Sequence, residues 1–541
     1  MGDLFLGLDC STQSLTALII DSEKKNLIHR ESINYENDLS KYATSSGIIM
    51  GKSEQEIHSY PIMWIEALDT LFKRLEGKQI LLSKIKAICG SGQQHGTVYL
   101  NNKFETELET LDPSQSLTNQ LTRIFTRETS PIWMDSSTTK QCQEIRQVLG
   151  GKTNSIKKLG SNIIERFSGP QIRKFYQEQP SAYDKTEMIH LVSSFMASLL
   201  IGKNAPIDYG DGAGMNLMNI DKKEWDEDAL KATAPNLKKK LPPLVDSFEI
   251  IGNISKYFSK RYGFSANTKI IAWSGDNPNS LIGLGLIKKG QVAISLGSSD
   301  TFFAFMEELS LDLRGEGHVF GAPTGNYMSL LCFKNASLSR EKLKNSFDLD
   351  WVEFSQILDQ TPPGNNGKLM LPYFFPEIVP LVLKPKVFRF GFSKDDLKEN
   401  IRAIIEAQFL SMRLHSQWIG EKPDIIYATG GASANKSILQ ILADIFKIPV
   451  MKFNVTNSAA LGAALRAYKS YSDNVNKEEE EWGIIIKDFL KPQKYLEIKP
   501  RTQYGELYDD MVKIYERYEE AVLKGERAPE KLRLEFIKKY F

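Results

Sequence analysis

Three short runs near the start of the chain set its first pattern. Residues 4–8 are apolar, Asp9-Cys10-Ser11-Thr12-Gln13-Ser14 is polar, and residues 15–20 are apolar again. Apolar runs of this length around a tight polar turn predict a β-hairpin, with Asp9 at the end of its first strand. Residues 27–33, more polar, predict a further strand. The same arrangement returns much later: 291–296 apolar, Gly297-Ser298-Ser299-Asp300 polar, 301–306 apolar. Two hydroxyl-rich hairpins, each opening an α/β half, fit two domains related by duplication. They fit two unrelated hairpins equally well.

Between the hairpins the pattern is mixed. Residues 85–89 predict a strand running into Gly90-Ser91-Gly92-Gln93-Gln94-His95-Gly96, and residues 187–200 predict a buried helix. Residues 269–273 predict an apolar strand ending in Ser274-Gly275-Asp276-Asn277. A domain boundary placed just before it, near Ala266, divides the chain into 1–265 and 266–541. Further on, Ser393 with Asp396 matches a capping box. Ile401, Ile404, Ile405, Phe409 and Met412 then follow helical spacing. Residues 425–428, 438–446, 449–453 and 458–468 read as strand, helix, strand and Ala-rich helix, an order that predicts an α/β fold. From about residue 470 the chain is a charged tail. In it, 477–481 reads as a solvated segment, and 504–524 as an amphipathic helix, either a packing element or a dimer contact.

Length and composition narrow the class. A single core rarely grows past about 250–300 residues, so more than one domain is expected. With 68 Lys+Arg against 67 Asp+Glu, the net charge of +1 leaves no electrostatic footprint for nucleic acid. Hydrophobic residues at 41% exclude wholesale disorder. No apolar run reaches the roughly 20 residues of a membrane helix. The first residues carry no basic region or cleavage site, so neither a membrane partner nor a secretory signal is expected. Cys10, Cys89, Cys142 and Cys332 lie far apart without a CxxC pair, which argues against a zinc knuckle or disulfide framework and for a reducing, cytoplasmic setting. The sequons at Asn253, Asn335 and Asn454 are then chance matches.

In open α/β sheets ligands sit beyond the carboxyl ends of strands. Four polar turns occupy such ends here: 9–14, 274–277, 297–300 and 430–435. Small residues let backbone N–H groups approach an anion, and hydroxyls add donors. Carboxylates at Asp9 and Asp276 are suited to a hard cation such as Mg²⁺. Together these are the parts of a phosphoryl-transfer site. A Walker A motif and a protein-kinase motif set are both absent, which excludes those two architectures.

The motifs Asp9 to Ser14, Gln94-His95-Gly96, Trp133-Met134-Asp135, Gly275-Asp276-Asn277, Gly297-Ser298-Ser299 and Gly430-Gly431-Ala432-Ser433-Ala434-Asn435 stand in the order found in the FGGY carbohydrate kinases, and the chain resembles that family from about residue 5 to 468. Trp133 to Thr139, Glu165 to Gly169, Pro206 to Tyr209 and Gly214 to Leu217 resemble its eukaryotic ketose-phosphorylating branch. Ser11 departs from the family pattern, which usually has glycine there.

The resemblance implies two actin/ribonuclease-H-like domains with an interdomain cleft. It implies ATP- and Mg²⁺-dependent phosphorylation of D-xylulose to D-xylulose 5-phosphate, by a monomer or a homodimer. His95 and Arg166 would hydrogen-bond the sugar, with Asp276 and Asn277 at its reacting end. Asp276 would be the general base for the 5-hydroxyl, and Asp9 would help Asp276 hold the metal. Thr12 and Ser14 would face the γ-phosphate and Ser298 the other phosphate oxygens. Gly431, Ala432 and Asn435 would line the adenosine, and Trp351 would flank the adenine. The alternatives are another sugar or polyol kinase of the family, acting on ribulose, glycerol or a heptulose, and a non-catalytic actin-like nucleotide-binding sensor. The sensor gives no reason for His95, Arg166 and Asp276 to occur together.

Overall fold

The first apolar run becomes β1 (Leu4–Cys10), joined by the polar turn to β2 (Ser14–Asp21) and then to β3 (Asn26–Asn34) in the computed structural model, which describes residues 2–453, 457–490 and 497–541. Asn454 lies outside the described residues. Every residue of β1 is buried. Leu4, Leu6, Leu8 and Cys10 enter one apolar cluster with the helices Pro61–Gly77 and Val192–Ile201, while Phe5 enters another with the helix Ser458–Tyr471. A strand covered on both faces needs apolar side chains in both directions, which is why the run is continuous rather than alternating.

Four further strands complete this sheet: β4 (Ile85–Gly92), β5 (Ile250–Asn253), β6 (Lys269–Ile271) and β7 (Ser274–Gly275). The order is β5-β6-β4-β1-β2-β3, with β7 also beside β4. β1 pairs antiparallel with β2 and parallel with β4, and β6 and β7 run parallel to β4.

A second sheet repeats the plan. β8 (Gln291–Leu296) and β9 (Asp300–Met306) form the later hairpin. With β10 (Tyr327–Phe333), β11 (Ile425–Thr429), β12 (Val450–Lys452) and β13 (Glu497–Ile498), they follow the order β10-β9-β8-β11-β12-β13. β8 pairs antiparallel with its hairpin partner and parallel with β11, as β1 does with β2 and β4. This repetition favours the duplication reading of the two hairpins.

The chain divides into two units, Met1–Ile287 with Val319–Met328 and Thr456–Lys491, and Lys288–His318 with Ser329–Val455 and Pro492–Phe541. The expected boundary near Ala266 is therefore displaced and the division is not contiguous. Residues 266–287 stay with the first unit because Lys269 and Ile270 pair with Ala87 and Ile88. The Ala-rich helix returns to it because small residues permit close packing. A Cβ on Gly7 would lie 2.0 Å from the Ala460 carbonyl, and one on Gly462 would lie 1.9 Å from that of Asn279.

Two local expectations also change. Residues 188–191 form a strand paired with Thr97–Leu100, and the buried helix begins only at Val192. Asp396, not Ser393, is the N-cap of the helix Leu397–His415. The Ser393 N–H donates to the Asp396 carboxylate at 2.7 Å, so the pair shapes the preceding turn. The helix Gly505–Leu523 buries Tyr508, Tyr515 and Tyr518 and is a packing element of the second unit, and a further helix, Glu530–Tyr540, follows it. Among the described residues, no helix is long and apolar enough to cross a membrane.

Candidate functional site

Strand register assembles the first group. Asp9 at the end of β1 lies beside Ser91 of β4, and Gly275 of β7 lies beside Gly92. The chain leaving β4 continues as Gln93-Gln94-His95, and the chain leaving β7 enters the helix Asp276–Gly283 at its first residue. Three neighbouring parallel strands thus deliver Asp9, His95 and Asp276 at their carboxyl ends, where α/β sheets hold ligands.

Asp9 is 7% exposed and accepts hydrogen bonds from Ser11 Oγ and, at 2.7 Å, from Ser91 Oγ. The serine that replaces the family's glycine therefore holds the carboxylate. Burial pushes the Asp9 pKa above its ordinary value. Asp276 is pushed up to about 7, first by burial and then by the charge on Asp9. Its Oδ1 accepts the Asn277 N–H at 2.9 Å, and Asn277 Nδ2 donates to Gln94 Oε1 at 2.7 Å. The two carboxylates are hard oxygen donors of the kind Mg²⁺ takes alongside water. No group of three or more His, Cys, Asp or Glu suited to a metal occurs among the described residues, so water and substrate oxygens would complete the shell.

His95 is buried, adopts φ 70°, and stacks on Phe167 with ring centroids 4.2 Å apart. Its Nδ1 is 2.7 Å from the Gly214 carbonyl, an acceptor, so Nδ1 carries the proton. Burial and then the neighbouring Arg166 charge push His95 down to about 3. The ring is consequently neutral, with Nε2 a lone-pair acceptor suited to a sugar hydroxyl. Arg166 is partly exposed just ahead of the helix Ser168–Glu178. Thr12 follows β1, donates to Gln93 Oε1 at 3.2 Å and accepts from Trp133 Nε1 at 2.9 Å. Ser14, half-buried, begins β2, and its carbonyl accepts the Ser11 N–H.

The second group lies in the second unit. Trp351, Gly431, Ala432 and Asn435 share one cavity of about 690 Å³ with Ser337, Arg340 and Ser355. Gly430 has φ 83°, and a Cβ there would lie 2.6 Å from the Leu296 carbonyl, so the turn after β11 packs against β8 only as glycine. Around a Cβ on Gly431 there is open space. Asn435 caps the helix Lys436–Phe446 through its Oδ1 and donates to Ser355 Oγ at 2.7 Å. Trp351 is 46% exposed and begins the helix Trp351–Gln360, which Asp350 and Glu353 close with a reciprocal capping box. Ser298 is exposed in the β8–β9 turn and is not among the cavity's lining residues.

Sequence reasoning assigned no role to Gln94, Ser91, Trp133 or Arg340. Gln94 and Trp133 stand inside the motifs that carry the resemblance, and Ser91 in the Gly-rich turn beside one of them, so these three had a local signal. Arg340 carried no signal, because its partner Asp300 lies 40 residues away.

Residues 117–283 match the N-terminal domain of the FGGY family of carbohydrate kinases, and residues 292–471 its C-terminal domain. The chain is 38% identical to a xylulose kinase of Rattus norvegicus, covering 97% of this chain and 98% of that protein. It is 45% identical to xylulose kinase 2 of Arabidopsis thaliana, covering 86% of each. Among solved structures, ligand-bound xylulose kinase from Lactobacillus acidophilus superimposes with a TM-score of 0.79 at 18% identity, covering 96% of this chain and 98% of that one. These matches agree with the two-domain, actin/ribonuclease-H-like fold expected from the sequence.

Proposed function

The chain belongs to the FGGY family of carbohydrate kinases, and from that premise we propose that it transfers the γ-phosphoryl group of ATP to the 5-hydroxyl of D-xylulose, giving D-xylulose 5-phosphate and ADP. The full-length similarity to xylulose kinases supports the substrate. The observation that carries the chemistry is the junction of Asp276 and Asn277 with Gln94, beside His95 and Asp9. A carboxylate near neutrality is matched to take a hydroxyl proton.

In this reading His95 Nε2 accepts from one ketose hydroxyl, Arg166 donates to another oxygen, and Asn277 and Asp276 hold the reacting end. As the sugar oxygen bonds to phosphorus, the bond to the leaving ADP oxygen breaks and the proton passes to a carboxylate oxygen of Asp276. Gly431, Ala432, Asn435 and Trp351 hold the adenosine, Ser298 the phosphates, and Thr12 and Ser14 the γ-phosphate. Asp9 and Asp276 would hold Mg²⁺, which when bound supplies positive charge against the phosphates. Cys10, Cys89 and Cys142 are buried thiols, which supports a reducing, cytoplasmic setting.

The test is ADP release over D-xylulose, D-ribulose, a heptulose and glycerol. D-xylulose is expected to give the highest kcat/KM. A large preference for glycerol overturns the substrate, and ATP binding without sugar-dependent ADP release overturns the catalytic reading.

A further inference from the structure

Assigning the β8–β9 turn to phosphate leaves open what holds that turn still. Besides the hairpin pairing of Leu296 with Asp300, two bonds to one helix do, one at each end. The Ser337 N–H donates to the Gly297 carbonyl at 3.2 Å, and the Asp300 carboxylate receives the Arg340 guanidinium. Both partners lie on the helix Ser337–Ser346, so Ser298 and Ser299 hang between two posts fixed by one element.

Arg340 is itself immobilised. It has no solvent exposure, and its Nε donates to Gln408 Oε1 at 2.9 Å. Gln408 sits on the helix Leu397–His415 and donates in turn to the Asn335 carbonyl at 2.7 Å. Arg340 and Ser337 also line the cavity that holds Trp351 and Asn435. A buried ion pair contributes little net stability, because taking both charges out of water costs about what their attraction returns. Stability alone is therefore a poor reason for this pair, whereas its place between cavity and turn is a specific one.

We infer that Asp300 and Arg340 are positioning residues for the nucleotide's phosphates, fixing the Gly297–Asp300 turn relative to the adenosine subsite. The inference rests on the proposed ATP reading of that turn and cavity. It adds that the phosphate and adenosine contributions to binding are separable at this pair.

The experiment is calorimetric binding of ATP, ADP and adenosine to the full chain and to Asp300→Asn. The expected result is a weakening of ATP and ADP by about tenfold, the scale of one disturbed charge-assisted contact, with adenosine within twofold of the parent. Removing one member of a buried pair strands the other. Asp300→Glu, which keeps the charge pair and leaves the cavity lining alone but displaces the carboxylate, is therefore measured alongside, and whichever variant gives a cooperative thermal transition decides. Wild-type ATP affinity in a folded variant overturns the inference, as does equal weakening of ATP and adenosine. If the unsubstituted protein binds neither ATP nor ADP, the ATP reading fails, a result distinct from failure of the clamp.

Discussion

Asn277 Nδ2 lies 2.7 Å from Gln94 Oε1, a hydrogen bond between two motifs 183 residues apart. Gln94 is 2% exposed and Asn277 partly exposed, so the bond runs from a buried acceptor to the edge of the solvent-facing site. Gln94→Leu keeps much of the volume and removes the acceptor. It is expected to raise KM for the ketose and lower kcat, because Asn277 also holds Asp276 through its backbone N–H. ATP binding is expected to stay within twofold. Steady-state kinetics over both substrates check this, and an effect confined to KM for ATP refutes it.

Asp276→Ala is expected to lower kcat at least a hundredfold, the range of a lost general base, while leaving ATP affinity largely intact. Near-parent turnover removes Asp276 from the role.

Because Asp276 in the free protein is pushed up to about 7 and acts in its ionised form, kcat/KM, which reports the free enzyme, should climb with pH and level off above that point. The Asp9 charge contributes to the elevation, so Asp9→Asn should move the midpoint to lower pH even as activity falls. A midpoint that stays put or moves upward contradicts the coupling.

His415 lies between Glu316 and Glu519, each 2.8 Å away, and Glu519 comes from the helix Gly505–Leu523. The two carboxylates overcome burial and push the imidazole up to about 10. A folded-state value above the ordinary one gives a contribution fully present below about 6.5 and lost as pH rises toward 10. His415→Gln should cost about 3–5 kcal/mol at pH 6, because the buried Glu519 and the partly exposed Glu316 lose their shared counter-charge. The loss should shrink toward pH 10. Denaturant titrations at both pH values check the sign.

Gly462→Ala introduces a methyl 1.9 Å from the Asn279 carbonyl. Overpacking of this kind costs about 1–3 kcal/mol. The helix Asp276–Gly283 contains Asn279 and begins with the proposed base, so kcat should fall along with Tm. An unchanged Tm shows that the contact relaxes freely.

The strands that sequence patterning located best were those with a local signature. Both hairpins have apolar runs and a hydroxyl-rich turn within a few residues of one another, and both form as expected. Their turns, with the start of the helix after β7 and the turn after β11, contain most of the candidate site. What escaped notice depended on distant partners. Residues 188–191 became a strand because Thr97–Leu100 offered an edge, which no property of 187–200 reveals. The contiguous boundary failed because the Ala-rich helix owes its place to Gly7 and Asn279, both far earlier in the sequence. Arg340 looked like any helix-surface arginine until Asp300 and Gln408 enclosed it.

The helix Ser458–Tyr471 covers one face of β1, a strand whose first residue is Leu4. Phe5 is therefore sheltered only once Ala463, Ala464 and Leu465 have docked. A variant truncated near residue 440 would leave that apolar face uncovered. The first unit completes its core from stretches of sequence that the second unit's residues separate, so its closure is a long-range event with the loop entropy that implies.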